Sequence, residues 1–425
     1  MKPIKFTIAD GITLNVISTR KFKTAQLAIN FLVPLRRETA AKNSLLSAVL
    51  LRGTAKNPTI ADISRKLQSL YAASIAQTNY KRGEVQVFGL YSNFIDSKYS
   101  LDGCDILGGT LGMMAEMLFD PYIIDGAFCE EYVEGEKSNL IDKINGRINN
   151  KNSYALTRCH EEMCRDEAFG LDVLGSEETV KEITHLSLYE HHKEIIEKAR
   201  IDVFYVGAES PEVILDKVKD MFSGINGRVP EPLSTNVKRS SDSVREIVEY
   251  DSVEQTKLSI GFRTGTVLSD SDYYKFSVFS EVYGSGTTSK LFMNVREKLS
   301  LCYYCQAVPE AQKGIMVVIS GIEAEKYDAA REEILHQLDE VKNGNITDDE
   351  FDGAIESLCG DYMRIYDSPD MLEAWYIGRS LAGRCDSPED AARMIKTVTK
   401  EDISEMAKKL TLDTIYTLKP NEEDK

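Results

Sequence analysis

The amino-acid sequence predicts an α+β protein of two homologous halves, each a largely antiparallel sheet packed with helices. Three observations carry that expectation: a length beyond one domain, a stretch of linker chemistry near the middle, and the same order of helices and strands on either side of it. The chain has 425 residues, against roughly 150 for a common domain. Hydrophobic residues make up 42% and charged residues 28%, the proportions of a soluble globular protein with a core of ordinary size.

Residues 224–243, GINGRVPEPLSTNVKRSSDS, combine Gly, two Pro, Ser and charge, which is linker chemistry. They separate a half at 1–223 from a half at 244–425. Residues 61–77 read as an amphipathic helix running into a strand, and 287–307 repeat that plan. A strand opened by Gly and rich in β-formers follows in each half, GEVQVFGLYS at 83–92 and GIMVVISGIE at 314–323. Each half closes alike, with helix then strand at 189–207 and again at 402–418. Strict β-helix-β alternation is missing, which favours α+β over a doubly wound sheet. Near the start, a β-like QLAINFLVPL leads through a polar turn, RRETAAK, into NSLLSAVLLRGT at 43–54.

Charge and cysteine usage narrow the function classes. Lys plus Arg number 51 against 68 Asp plus Glu, a formal charge of −17, a field that repels phosphate backbones and tolerates a basic peptide. No nucleic-acid partner is expected. The eight Cys are spread along the chain, unlike a disulfide framework, and are expected as free thiols. Neither a signal-peptide core nor an apolar run of about 18 residues is present, so the expectation is a cytoplasmic protein without a membrane partner.

The segment 43–54 resembles that of the pitrilysin/insulinase-type zinc peptidases, in which a strand, a loop and a helix bearing His-x-x-Glu-His end in a similar Arg-Gly-Thr. Aligned on Arg52-Gly53-Thr54, Ser44 and Ala48 stand where the family has its two His, and Ser47 where it has Glu. In the family motif the two His share a helix face to bind zinc and the Glu activates the bound water. Ser is a poor zinc ligand, Ala has no donor, and Ser47 is no general base near neutral pH. The resemblance places the third family ligand at Glu136, with Glu134 as its rival. No catalytic residue, metal or other cofactor is expected.

Residues 280–304, SEVYGSGTTSKLFMNVREKLSLCYY, resemble the family's second-half segment that supplies an Arg and a Tyr to hold the substrate backbone. These map to Arg296 and Tyr303, with Gly284 and Gly286 as secondary peptide-contact positions. With the duplicated halves, the resemblance spans essentially the whole chain and implies a clamshell arrangement. It identifies the chain as a non-catalytic, processing-peptidase-like member that binds an extended peptide, partnered by an HxxEH-bearing homologue or by itself. Two rivals stand beside it: an active metallopeptidase using relocated ligands such as His160, His185 or His191, and a self-associating structural protein without a peptide ligand.

Local decoys have plainer readings. His185, His191 and His192 lack an i, i+4 pair and read as an exposed helix face. Cys159, His160 and Cys164 read as buried helix residues. Cys302 and Cys305 have CxxC spacing, but in a strand positions i and i+3 face opposite sides, so they read as structural. GSGTTSK at 284–290 lacks the Gly before Lys of a phosphate loop and reads as a turn into a helix capped by Thr287 or Thr288.

Overall fold

Alternating and continuous apolar runs assemble into two sheets in the computed structural model, which describes residues 1–421. The first half supplies β1 (Ile4–Ala9), β2 (Ile12–Ser18), β3 (Thr24–Pro34), β4 (Ser74–Arg82) and β5 (Val85–Ile95), then a small ribbon of β6 (Ile123–Ile124) and β7 (Ala127–Phe128), and finally β8 (Arg200–Gly207). The second half supplies β9 (Arg245–Asp251), β10 (Thr256–Arg263), β11 (Cys302–Glu310), β12 (Ile315–Ile322) and β13 (Thr411–Pro420). The large sheets have the orders β1-β2-β8-β3-β5-β4 and β11-β12-β10-β13-β9.

Read from the other edge, the second order repeats the first once β1 is set aside: β9-β13-β10-β12-β11 against β2-β8-β3-β5-β4. The pairing directions repeat too, because β2–β8 and β13–β9 are parallel and the other pairs in both sheets are antiparallel. Helix start signals recur with them. The helices before β8 and β13, His185–Lys198 and Lys400–Lys409, each begin behind a Thr, Thr184 and Thr399, in a capping box.

The chain forms two compact units, one of Met1–Asn145, Leu171–Ser234 and Pro369–Ile377, the other of Gly146–Gly170, Thr235–Ser368 and the chain from Gly378 onward. The crossing at 234/235 falls inside the 224–243 stretch, which has neither helix nor strand. Two segments depart from a single cut between halves. Residues 146–170 join the second unit because the Lys151–Met163 helix lays Ala155 and Cys159 on Val317, Tyr416 and Leu418, while Met163, Cys164 and Phe169 pack with Ile315. Residues 369–377 join the first unit, where Glu373 accepts hydrogen bonds from Gln26 and, at 2.7 Å, from Asn30, both on β3. A linear reading of halves has no access to such exchanges, since each is decided by tertiary packing.

The 224–243 stretch is also better anchored than its composition suggests. Arg228 is buried and donates to the carbonyls of Ile196 at 2.7 Å and Asp10 at 2.8 Å and to that of Ala199. The RRETAAK segment is not a turn: the Arg37–Val49 helix begins inside it, burying Ala40 and Ala41 ahead of Ser44 and Leu45. No helix among the described residues is long and apolar enough to cross a membrane.

Candidate functional site: two clefts on the two sheets

Ser44, Ser47 and Ala48 lie on the Arg37–Val49 helix as aligned. Ser44 and Ala48 open on a cleft of about 400 Å³ lined also by Gln77, Asn79, Tyr91 and Glu136. Of the two carboxylates weighed for the third family ligand, Glu136 faces this cleft. Glu134 instead pairs with Lys137 at 2.9 Å.

The donors present do not fit zinc. Ser44 Oγ donates to the Val173 carbonyl at 2.6 Å and accepts from the Asn79 amide. Ser47, 1% exposed, only bonds back to the carbonyls of Asn43 and Ser44 on its own helix. Glu136 is held by Arg52 Nη1 at 3.1 Å and by the Asn139 amide at 3.1 Å, and the Arg52 guanidinium lies over the Tyr132 ring at 5.0 Å. A fixed guanidinium thus compensates the carboxylate that a metal ion would otherwise face. Among the described residues no group of three His, Cys, Asp or Glu is placed to hold a metal ion.

A buried polar chain continues from Ser44. Asn79 Oδ1 accepts from Gln86 at 2.9 Å, Gln86 Oε1 accepts from Asn43 at 2.8 Å, and Asn43 Oδ1 lies 2.7 Å from His191 Nε2. Because the Asn43 amide nitrogen is committed to Gln86, its oxygen faces the imidazole and His191 donates from Nε2. Burial pushes the His191 imidazole down to about 4, helped by the Lys42 charge, and burial pushes His192 down likewise to about 4. His192 donates to the Leu118 carbonyl at 2.8 Å. The expected exposed face is therefore corrected: His191 and His192 are 5% and 6% exposed and are neutral structural donors. His185 is a surface residue 3.9 Å from Glu130, and His160 packs edge-on against Phe169 beside buried Cys159 and Cys164.

In the second unit, Arg296 and Tyr303 do come together. Arg296 projects from the Leu291–Lys298 helix, whose i→i+5 winding includes the bond from Leu299 N to Asn294 O. The chain then reverses through Ser300, φ 50°, into β11, the edge strand of its sheet. The two side chains line one cleft of about 410 Å³ with Ser300, Cys302, Glu323 and Lys326. Arg296 lies over the Phe292 ring at 4.7 Å and 3.5 Å from Glu297. Tyr303 is 53% exposed and donates its hydroxyl to Glu323 at 2.9 Å.

Gly284 and Gly286 are not among the residues lining that cleft. Gly284 is buried where a Cβ would meet Leu291 Cδ1 at 2.6 Å and Ala307 N at 3.0 Å, a packing reason for glycine. Gly286 sits against Glu281. The helix start is capped by Ser289, which accepts from Phe292 N at 3.3 Å, rather than by Thr287 or Thr288.

The expectation that Cys302 and Cys305 face opposite sides of the strand needs correcting. The β11–β12 register shifts between Cys302 and Tyr304, so Cys302 opposes Ile322 while Cys305 opposes Ser320. Tyr303 is the extra residue of a bulge, and partners two apart place both cysteines on one face. No period-based reading of a seven-residue window contains that bulge. The β-rich Cys-Tyr-Tyr-Cys run gives no turn residue to mark it.

Comparison with known proteins agrees with this geometry. A family described as "Peptidase M16 inactive domain" matches residues 182–358. The "Probable inactive metalloprotease YmfF" of Bacillus subtilis is 32% identical over 97% of this chain and 96% of that protein. The chain belongs to the M16 peptidase family. It is a degenerate, non-catalytic zinc-metallopeptidase homologue, with Ser44, Ser47 and Ala48 at the motif positions. Among solved structures, a conserved protein from Enterococcus faecalis matches with a TM-score of 0.91 at 26% identity over 99% of both chains. A peptidase M16 inactive domain from Pseudomonas fluorescens, 16% identical over 99% of both chains with a TM-score of 0.78, shares the fold.

Proposed function

We propose that this M16 chain binds an extended peptide through the Arg296–Tyr303 cleft and serves, in the cytoplasm, as the partner subunit of an HxxEH-bearing homologue. The observation that carries this reading is the shared cleft beside an edge strand. An edge strand has a row of backbone groups open to another strand, which gives affinity with little dependence on side chains. The two side chains are complementary toward such a backbone. The Arg296 fork donates to carbonyls, while Tyr303, its proton engaged by Glu323, keeps oxygen lone pairs for a peptide N–H. The net charge of −17 favours basic peptides.

The test is titration of a labelled basic peptide into wild type, Arg296→Ala, Tyr303→Phe and the double variant, with thermal melts alongside. Loss of the Arg296 contact is expected to weaken binding about 5- to 150-fold with little change in melting. Equal affinities in all four proteins would remove the peptide-clamp role. A large fall in melting temperature for Arg296→Ala would make that residue structural instead.

A further inference from the structure

We infer that Cys302 and Cys305 form a thiol–disulfide redox site, in which Cys302 is the attacking thiol and Cys305 the resolving one, oxidised by low-molecular-weight disulfides. The geometry is specific to this place in the fold. Residues three apart in a regular strand point to opposite faces, yet the bulge at Tyr303 sets Cys302 opposite Ile322 and Cys305 opposite Ser320. The two side chains thus sit on one face at neighbouring positions of the strand, and closing the disulfide draws their sulfurs to about 2.05 Å.

The two thiols are also unequal in the way such a pair requires. Cys302 is half-buried and lines the cleft that holds Arg296, whereas Cys305 is 4% exposed. The neighbouring Cys305 thiol leads in pulling the Cys302 thiol down to about 7, and Ser320 and the Arg296 charge add to it. Burial pushes Cys305 well up. An accessible thiolate beside a buried thiol is the arrangement of a nucleophile with its resolving partner.

The chemistry balances with a small disulfide RSSR as the oxidant. The Cys302 thiolate attacks one sulfur, forming Cys302–S–SR and releasing RS⁻, which takes up the proton Cys302 lost. Cys305 then gives up its proton and attacks the Cys302 sulfur, expelling the second RS⁻, which accepts that proton. The protein is oxidised by two electrons and RSSR is reduced to two RSH. Neither step calls on the peptide-binding role.

The test uses the full chain, equilibrated with oxidised glutathione, quenched in acid, alkylated and digested with trypsin. The fragment 299–313, LSLCYYCQAVPEAQK, is expected to lose two hydrogens and carry no alkyl group, while Cys104, Cys129, Cys159, Cys164, Cys359 and Cys385 do not cross-link. Cys305→Ser is expected to trap glutathione on Cys302, and Cys302→Ser to leave Cys305 reduced. Reduced wild type is expected to alkylate at Cys302 about tenfold or more faster than at Cys305. The inference is overturned if wild type stops at glutathionylated Cys302 with Cys305 alkylated, or if both thiols stay reduced. Oxidation of Cys305 in the Cys302→Ser protein would overturn it equally.

Discussion

Arg52 Nη1 stands 3.1 Å from Glu136 Oε1, so the carboxylate that lines the cleft with Ser44 and Ala48 is held by an arginine from the turn that follows the Arg37–Val49 helix. A partly buried acid is costly unless a cation pairs with it. Arg52 does so, and Ser44 is tied into the Asn79–Gln86–Asn43–His191 chain behind it. The first unit thus joins its helix and sheet here through a hydrogen-bonded network.

These contacts make Arg52 and Ser44 stability residues. Arg52→Ala is expected to cost about 1–3 kcal/mol by leaving the Glu136 carboxylate unpaired in its cleft, and Arg52→Ala/Glu136→Gln together less than the sum. Ser44→Ala leaves an Asn79 amide proton without its partner and removes one of the two donors to the Val173 carbonyl, which keeps Gln86 at 3.0 Å, again about 1–3 kcal/mol. Urea unfolding of the variants measures both, and losses below about 0.5 kcal/mol would mark ordinary surface behaviour.

Acid should act through the buried histidines. Their folded-state values near 4 lie below the ordinary 6.5, so each contributes stability that is fully present above about pH 6.5 and is lost as the pH falls toward 4. The upper bound is about 3 kcal/mol for each group. Urea melts at pH 7 and pH 5 are expected to show a smaller pH-dependent loss in His192→Gln than in wild type. An identical pH dependence would contradict the neutral, buried assignment.

Glu373 acts with the opposite sign. Burial, opposed by the Asn30 hydrogen bond, pushes its carboxyl up to about 7 from an ordinary 4.5, so the folded state holds the proton more tightly than the unfolded chain. Its contribution is fully present below about pH 4.5 and is lost as the pH rises through 7. Glu373→Gln, which keeps the shape without the charge, is expected to gain on wild type between pH 5 and pH 8, by up to about 3 kcal/mol. Melts at those two pH values decide it, and no change in the difference between the proteins would contradict it.

Much of the architecture was legible because it rests on local signals. The helix-then-strand endings at 189–207 and 402–418 correspond to elements opened by Thr184 and Thr399 caps, and Arg296 with Tyr303 falls where an ordered motif put them. The rest depended on contacts between distant residues. Asn43, Gln86, Asn79 and His191 are individually unremarkable and become a network only when the helices and the sheet meet. The Lys151–Met163 helix carries no mark of the sheet it covers, and Glu373 none of its place beneath Gln26 and Asn30. The clefts themselves were half legible: Ser44, Ala48 and Glu136 could be picked out along the sequence, the Arg52 guanidinium that pairs with Glu136 could not.

The most direct measurement of the account is peptide cleavage by this chain mixed with an HxxEH-bearing M16 homologue from the same genome, run with sizing of the mixture and of each chain alone. The expected result is a hetero-complex whose cleavage rate exceeds that of the homologue by itself, is reduced by Arg296→Ala in this chain, and is absent from this chain alone. A mixture that contains only homo-oligomers and cleaves at the homologue's own rate, or zinc-dependent cleavage by this chain alone, would contradict it.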